Sequence, residues 1–430
     1  MALSWRPAAL IALGIIPALI FAQWHVVVVW VAAVVVLTIV DAILAASPRA
    51  LEVTRTLPTQ VKLGEVAQGE FVVSNRGRRT ARGLLHDAWG PSAGVVTPVQ
   101  RLVVRAGDAT RVPCVLQPTR RGDRVAAHVT VRLFGPMRLG ARQLSLLAPS
   151  TVKVLPEFRS SKHLPSRLAL LREIDGGSAV QIRGQGTEFD SLRPYVEGDD
   201  VRSIDWRATA RSREVTVRTW RPERDRRVII VVDTSRTSAP QVAGETRLDA
   251  YIEAALLLGA LASHAGDRVE VLAHDRSSRA HVSAHAGSKV LHELAVALSG
   301  VQPVLVESDW DVVAAKVRER VWQRSLVVVL SNADITTPEN GFVTAISTLA
   351  AQHTVVVASV SDPETTAMST DVSDSAAVFG AAAAQATLLA RRAALGVLER
   401  SQAITVDSLP NDLAPRVADT YLMLKATGRL

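Results

Sequence analysis

Arg227-Val228-Ile229-Ile230-Val231-Val232-Asp233-Thr234-Ser235-Arg236-Thr237 decides the fold. Five consecutive β-branched residues without polar alternation suit a strand buried on both faces, and such strands belong to parallel sheets covered by helices on either side. The run stops at a carboxylate and a series of hydroxyls. In open α/β sheets ligands collect at the carboxyl ends of the strands, so Asp233, Ser235 and Thr237 would set hard oxygens there, the ligand type that Mg²⁺ prefers. The same side chains can instead hydrogen-bond a turn and cap the next helix. A dinucleotide reading is excluded, because the loop holds no glycine to admit a pyrophosphate.

Downstream the chain alternates strand and helix: a helix over 247–264, strands over 268–273 and 279–283, and helices over 288–298 and 309–321. The apolar strand Leu326-Val327-Val328-Val329-Leu330 follows, then a helix over 341–351, the strand Thr354-Val355-Val356-Val357-Ala358, an Ala-rich helix over 376–400 and a strand over 403–406. This pattern predicts a doubly wound α/β domain over 227–407 with a C-terminal helix over 408–430.

Upstream, residues 7–22 are apolar and residues 26–46 are apolar except for Thr38 and Asp41. At 1.5 Å per residue they would rise roughly 24 and 31 Å, predicting a transmembrane helical hairpin over 1–50 with Trp5, Trp24 and Trp30 as interfacial rings. Arg6 precedes it, Arg49 and Arg55 follow it, and the turn Gln23-Trp24-His25 carries no Lys or Arg. The positive-inside rule therefore places both ends in the cytoplasm and the chain in the cell membrane as a two-pass protein. A cleaved signal peptide would need only one apolar core. Asp41 is expected at the cytoplasmic interface. Residues 51–150 turn to short alternating runs, among them Glu70–Asn75 and His128–Leu133, with Asn75-Arg76-Gly77 and Arg121-Gly122-Asp123 as turns, which predicts a β-sandwich.

A chain of 430 residues has room for several such domains. Its net charge of +8 rests on 43 Arg and only six Lys, scattered among acids, without a basic stripe or interleaved aromatics, so no nucleic-acid partner is expected. The lone Cys114 excludes an intrachain disulfide and a cysteine metal cluster, and fits a buried structural thiol.

Between sandwich and α/β domain, residues 151–226 form a charged connector. Within it stand Gly186-Thr187-Glu188-Phe189, then Leu192-Arg193-Pro194-Tyr195, Gly198-Asp199-Asp200-Val201-Arg202-Ser203-Ile204-Asp205-Trp206 and Ala208-Thr209-Ala210-Arg211. In this order they resemble the signature of the domain of unknown function 58 family, membrane-anchored proteins with a von Willebrand factor type A-like domain. The resemblance extends to the hairpin, to Arg120-Arg121-Gly122 and Phe134-Gly135-Pro136, and to the final Ala418 to Lys425 helix. It implies a MoxR-type AAA+ ATPase as partner, beside the lipid bilayer. Physically, Asp199, Asp200 and Asp205 interleaved with Arg193, Arg202, Arg207 and Arg211 can form bidentate pairs that fasten the connector to a neighbouring domain. With Tyr195 and Trp206 the stretch can alternatively be a partner's contact surface.

Asp-x-Ser-x-Thr at Asp233 resembles the first element of the metal-ion-dependent adhesion site of the type A fold. That resemblance implies further ligands after the strand ending Leu330-Ser331, where Asn332 stands in place of an Asp and Asp334 lies two residues on. Ser283 and Ser288 are the candidates for the middle ligand. With one charge fewer, Mg²⁺ is expected to bind weakly or not at all. The expectation is a non-enzymatic membrane-tethered interaction protein. The alternatives are a metal-dependent hydrolase at Asp233, Asn332 and Asp334, and an adhesion domain outside the cytoplasm. His274, His281 and His285 are expected on a solvated strand edge, away from these loops.

Overall fold

The computed structural model describes residues 2–21, 23–178, 188–196, 199–212, 214–221, 226–284, 287, 289–332 and 341–430. Two compact units divide it, Met1–Glu157 and Phe158–Leu430.

The first unit begins with β1 (Ala2–Leu3), α1 (Arg6–Leu13), α2 (Ile15–Phe21) and α3 (Trp24–Leu44). The first apolar run is thus two short helices rather than one continuous span. Pro17 accounts for the break: it has no N–H to give the carbonyl of Leu13, and its ring crowds that carbonyl. Gly14 sits at the break and lets Trp30 of α3 approach closely, since a Cβ there would lie 2.3 Å from the indole. Trp30 Nε1 donates to the carbonyl of Leu10 at 2.9 Å. Among the described residues one segment, Trp24–Ala50, is long and apolar enough to cross a membrane.

Next come β2 (Leu51–Thr56), β3 (Gln60–Lys62), β4 (Ala67–Asn75), β5 (Ala81–Asp87), β6 (Val99–Val104), β7 (Ala109–Leu116), β8 (Gly122–Phe134) and β9 (Gly140–Leu155). One sheet has the order β2-β4-β7; the other runs β1-β9-β8-β5-β6, with β3 also beside β9. Alternate residues face inward, so Phe71, Val73, Leu85, Leu102, Val131 and Val152 share one core between the sheets. Arg121-Gly122-Asp123, expected as a turn, instead leads into β8, and Gly122 has φ +106°. Arg55, expected as a topology-setting surface charge, is buried here: its guanidinium meets Asp87 and lies 5.0 Å from the Phe71 ring and 4.9 Å from that of Trp89. Asp41 of α3 is held by the sandwich. It is 1% exposed, and its carboxylate accepts backbone N–H groups from Met137 (2.8 Å), Leu139 (2.7 Å) and Gly140 (3.0 Å) in the turn joining β8 to β9.

The second unit contains α4 (Leu164–Ser178), β10 (Glu188–Pro194), α5 (Trp206–Ser212), β11 (Thr216–Arg221), β12 (Arg227–Asp233), β13 (Gln241–Val242), β14 (Glu245–Thr246) and α6 (Arg247–His264). It continues through β15 (Arg268–His274), β16 (Ser278–Ala284), α7 (Val290–Ser299), α8 (Trp310–Arg320), β17 (Leu326–Leu330), α9 (Phe342–Ala350), β18 (Thr354–Val360), α10 (Pro363–Met368), α11 (Ser375–Arg400), β19 (Ile404–Ser408) and α12 (Pro410–Ala426). Its main sheet has the order β16-β15-β12-β17-β18-β19, with β16 antiparallel and the other pairings parallel.

The apolar run of β12 supplies both faces. Val228, Ile230 and Val232 join the core formed with α6, α7 and α12, whereas Ile229 and Val231 join the one formed with α8 and α9. Helix α6 opens on a capping box, Thr246 with Asp249, and Gly259 lets Leu294 of α7 come close. The connector is not a separate linker at its start. Leu171 of α4 is in the α6 core, and Glu253 of α6 accepts from Ser160 N at 2.7 Å and Ser160 Oγ at 2.8 Å.

Candidate functional site

Chain reversal places the site. From β12 the chain builds outward to β15 and β16, then returns to lay β17 on the other flank of β12. The loops leaving β12 and β17 therefore diverge and open a crevice between them, the position where α/β sheets bind ligands.

Asp233 ends β12 at the bottom of that crevice and is 1% exposed. One carboxylate oxygen accepts from Ser235 N at 2.9 Å and Ser308 Oγ at 2.7 Å; the other accepts from Thr237 Oγ1 at 2.7 Å and Ser331 Oγ at 2.7 Å. The hydroxyls of Ser235 and Thr237 are 3.1 Å apart. Four donors satisfy the buried anion, and among the described residues no cation pairs with it. Glu307 stands in the same crevice, tied at 2.8 Å to Arg236 Nε, with Trp310 and Phe342 as an edge-to-face aromatic wall at 4.6 Å. The crevice is lined by no His, Cys or Lys among the described residues.

The expected set is brought together in part. Asp233, Ser235, Thr237 and Asn332 share the crevice, while Asp334 and Ser288 lie outside the described residues. Ser283 is a correction: it is exposed on the edge strand β16, paired with Glu270 of β15. Ser308 contacts Asp233 instead, from 75 residues away, just before the Asp309 cap of α8. Its only sequence signal is that capping position, so periodicity did not find it. Asn332 does not offer a free oxygen, because its side-chain carbonyl accepts from Arg391 Nη1 at 2.8 Å. The same guanidinium holds Asp407 through Nε (2.9 Å) and Nη2 (2.6 Å), tying α11 to the ends of β17 and β19.

Behind the loop, Thr234 Oγ1 donates to Asp275 at 2.9 Å. Burial pushes the Asp275 carboxyl up, but Arg279, the Ser277 amide and Thr234 outweigh it and hold it at about 2. His281 is on the exposed edge as expected, 2.6 Å from Glu270. His274 is not: it is 1% exposed, opposite Asp233 in the β12–β15 register, with its pKa lowered by burial. His285 lies outside the described residues.

Within the signature the described ion pairs are local, whereas at the start of the connector Arg159 meets Glu245 and Glu253 and Arg167 meets Asp419 of α12. Arg193 grips Asp199 through both terminal nitrogens, at 2.7 and 2.6 Å, and Arg218 meets Asp205 at 2.8 Å. Asp200 accepts from the Arg202 amide, and Asp205 also caps α5 through the amides of Arg207 and Ala208. Both ion pairs are partly exposed, and Arg202, Trp206 and Arg211 are exposed. Tyr195 is 36% exposed.

Residues 191–380 match the family model described as "Protein of unknown function DUF58", which bears out the resemblance seen in the signature. Uncharacterized proteins of Mycobacterium tuberculosis (strain ATCC 25618 / H37Rv) and Mycobacterium bovis (strain ATCC BAA-935 / AF2122/97) are each 30% identical over 184 residues, 42% of this chain and 57% of the relative. The match thus spans little more than half the length of these curated relatives. Among solved structures, the conserved hypothetical protein BatB from Bacteroides thetaiotaomicron aligns with 47% of this chain and 99% of its own, at 14% identity and a TM-score of 0.30. The CARDB domain of a Pyrococcus furiosus protein covers 24% of this chain and 87% of its own, at 15% identity and a TM-score of 0.19.

Proposed function

We propose that this chain is a membrane-tethered, non-enzymatic interaction protein whose α/β unit is von Willebrand factor type A-like, works in the cytoplasm beside a MoxR-type AAA+ ATPase, and contacts its partner at the Asp233 crevice. The observation that carries this reading is the donor set itself: one buried carboxylate ringed by Ser235, Thr237, Ser308 and Ser331 at the switch point of the sheet. The hydroxyls of Thr237 and Ser308 keep lone pairs while donating to Asp233, and Ser235 Oγ stands 3.1 Å from Thr237 Oγ1, so the set fits a hard dication such as Mg²⁺. Asp233, Ser235, Thr237 and Ser308 would hold it, and the ion would supply a positive centre for an acidic partner group.

Asn332 is neutral and engaged by Arg391, and Glu307 is paired with Arg236, so Asp233 brings the one charge of the set; Mg²⁺ dehydrates reluctantly, and the ion is held weakly until a partner adds an oxygen. The hydrolase alternative asks for a general base, and no described lining residue is a histidine. Titration calorimetry of the full chain in detergent with Mg²⁺ and Mn²⁺ tests the site. Dissociation constants weaker than about 10 µM, abolished by Asp233→Ala, are expected, the threshold being that separating sensor-type sites from weak ones. Tighter binding would refute the weak-site reading, and unchanged binding in Asp233→Ala would move the ion elsewhere. Capture of the ATPase encoded nearest this gene, compared between wild type and Asp233→Ala, tests the partner.

A further inference from the structure

We infer that the outer face of α11 is where a second copy of this chain docks, the two helices lying antiparallel across a two-fold axis beside Ala386. Helix α11 buries Ala381, Ala384, Ala394 and Leu398. On its opposite face Phe379, Ala382, Ala386, Leu389 and Ala393 are all exposed, Phe379 at 79% and Leu389 at 62%. These five recur at alternating steps of three and four residues, the seam spacing by which two helices pack knobs into holes. The stripe rises roughly 21 Å from Phe379 to Ala393, so its apolar surface is continuous rather than scattered. From Ser375 to Ala390 the chain holds no Lys, Arg, Asp or Glu.

The arrangement of large and small residues along the stripe selects the occupant. A two-fold contact sets each residue of one copy against its mirror position in the other. About an axis at Ala386, Phe379 meets the small Ala393 of the second copy, and Leu389 meets its Ala382 and Ala383. Each knob thus finds a shallow site, as close packing requires. Parallel helices would instead oppose Phe379 to itself and alanine to alanine, crowding one level and leaving the next empty. The antiparallel order also aligns opposite ends of the two helix dipoles. It carries the end bearing Asp371 and Asp374 towards the half bearing Arg392 and Arg400, where Glu399 is occupied by the Thr405 hydroxyl. A charged partner would find nothing to pair with along an uncharged seam. A helix lying on lipid typically flanks its apolar face with Lys and Arg, and this stretch has neither before Arg391. One helix pair of this length is small for an interface, so the dimer is a reversible one.

Sedimentation equilibrium of the full chain in detergent micelles tests the contact, and cross-linking tests its register. A reversible monomer–dimer equilibrium is expected. Its dissociation constant should rise at least ~10-fold in Ala386→Glu, where two carboxylates meet at the axis, and in Phe379→Ala, which removes a knob. Ala386→Ser, which stays small and uncharged, should keep the dimer and guards against misfolding, as does Ser347→Glu at an exposed position of α9. With Cys114 buried, a short bis-maleimide should join Ala386→Cys to itself. Mixed chains should join Phe379→Cys to Ala393→Cys far more than either to itself. A monomer at every concentration, or a dimer indifferent to Ala386→Glu and Phe379→Ala, would overturn the inference. Preferred self-linking of Phe379→Cys would overturn it too, since parallel helices lack the complementarity that selects a second copy. So would a nitroxide at Ala386→Cys that lipid-dissolved oxygen relaxes in nanodiscs holding a single chain, because that result lays the face on the bilayer.

Discussion

Asp87 and Asp199 both pair with arginine, and their surroundings give the two pairs opposite weight. Asp87 faces Arg55 with both side chains essentially out of solvent, and also accepts from Trp89 Nε1 at 2.9 Å and the Cys114 thiol at 3.3 Å. Removing one partner strands a charge in the sandwich core, so Asp87→Ala is expected to cost about 3 to 5 kcal/mol. Asp199→Ala should cost far less, because water already reaches both members of the Arg193 pair. Cys114 is a built-in probe. Burial, followed by the Asp87 charge and hydrogen bond, pushes its thiol up to about 12, so alkylation reports opening of the sandwich. Urea midpoints of Cys114 alkylation should fall steeply in Asp87→Ala and hold in Asp199→Ala; similar midpoints would mean the buried pair is not holding the core.

At the scale of elements, strand β12 was legible because its five β-branched residues have no polar face, and the structure feeds its alternate residues into two separate cores. Helices α8 and α11 likewise follow their apolar positions and their Asp309 and Asp374 caps, while α6 follows a continuous apolar run behind its capping box and is buried almost all round. What stayed hidden depends on long-range partners. Ser308 belongs to no periodic element, Arg391 reads as an ordinary helix charge until Asn332 and Asp407 meet it, and Arg55 reads as a surface charge until Asp87 closes over it. Asp41 is of the same kind. Its position in an apolar helix signals something, but only the β8–β9 turn says what: three N–H groups aimed at one carboxylate, with Arg138 in the left-handed region at φ +57°. Asp41→Ala leaves three donors unmet, and the two buried ones, Leu139 and Gly140, cost about 1 to 3 kcal/mol each if water cannot enter. Hydrogen exchange at the amides of Leu139 and Gly140 should therefore quicken at least ~10-fold, while exchange in β4 should stay near wild type. Unchanged protection at Leu139 and Gly140 would show that the turn holds itself.

For the whole molecule, the ties at the two ends of the apolar stretch argue for one topology. Residues Ala2 and Leu3 pair with Ala141 and Gly140 of β9, while Asp41, near the end of α3, binds Met137, Leu139 and Gly140 in the same turn. Both ends of the stretch are thus fastened to one point of the sandwich, and Arg79 adds donors to the carbonyls of Ile43 and Leu44. If α3 crosses a bilayer, with its 21 residues rising ~31 Å, the chain from Arg6 to Phe21 must already have gone the other way. Gln23 would then lie on the far side of the membrane, and the positive-inside rule predicts the Arg6 and Arg49 side, with the rest of the chain, in the cytoplasm. The buried Cys114 leaves a quiet background for single-cysteine labelling. In intact cells a membrane-impermeant maleimide should reach Gln23→Cys but not Gly428→Cys until the cells are lysed. A Gly428→Cys that labels in intact cells would put the α/β unit outside and favour the adhesion reading. A Gln23→Cys that labels only after lysis would mean that the apolar helices dip into the membrane and return without crossing it.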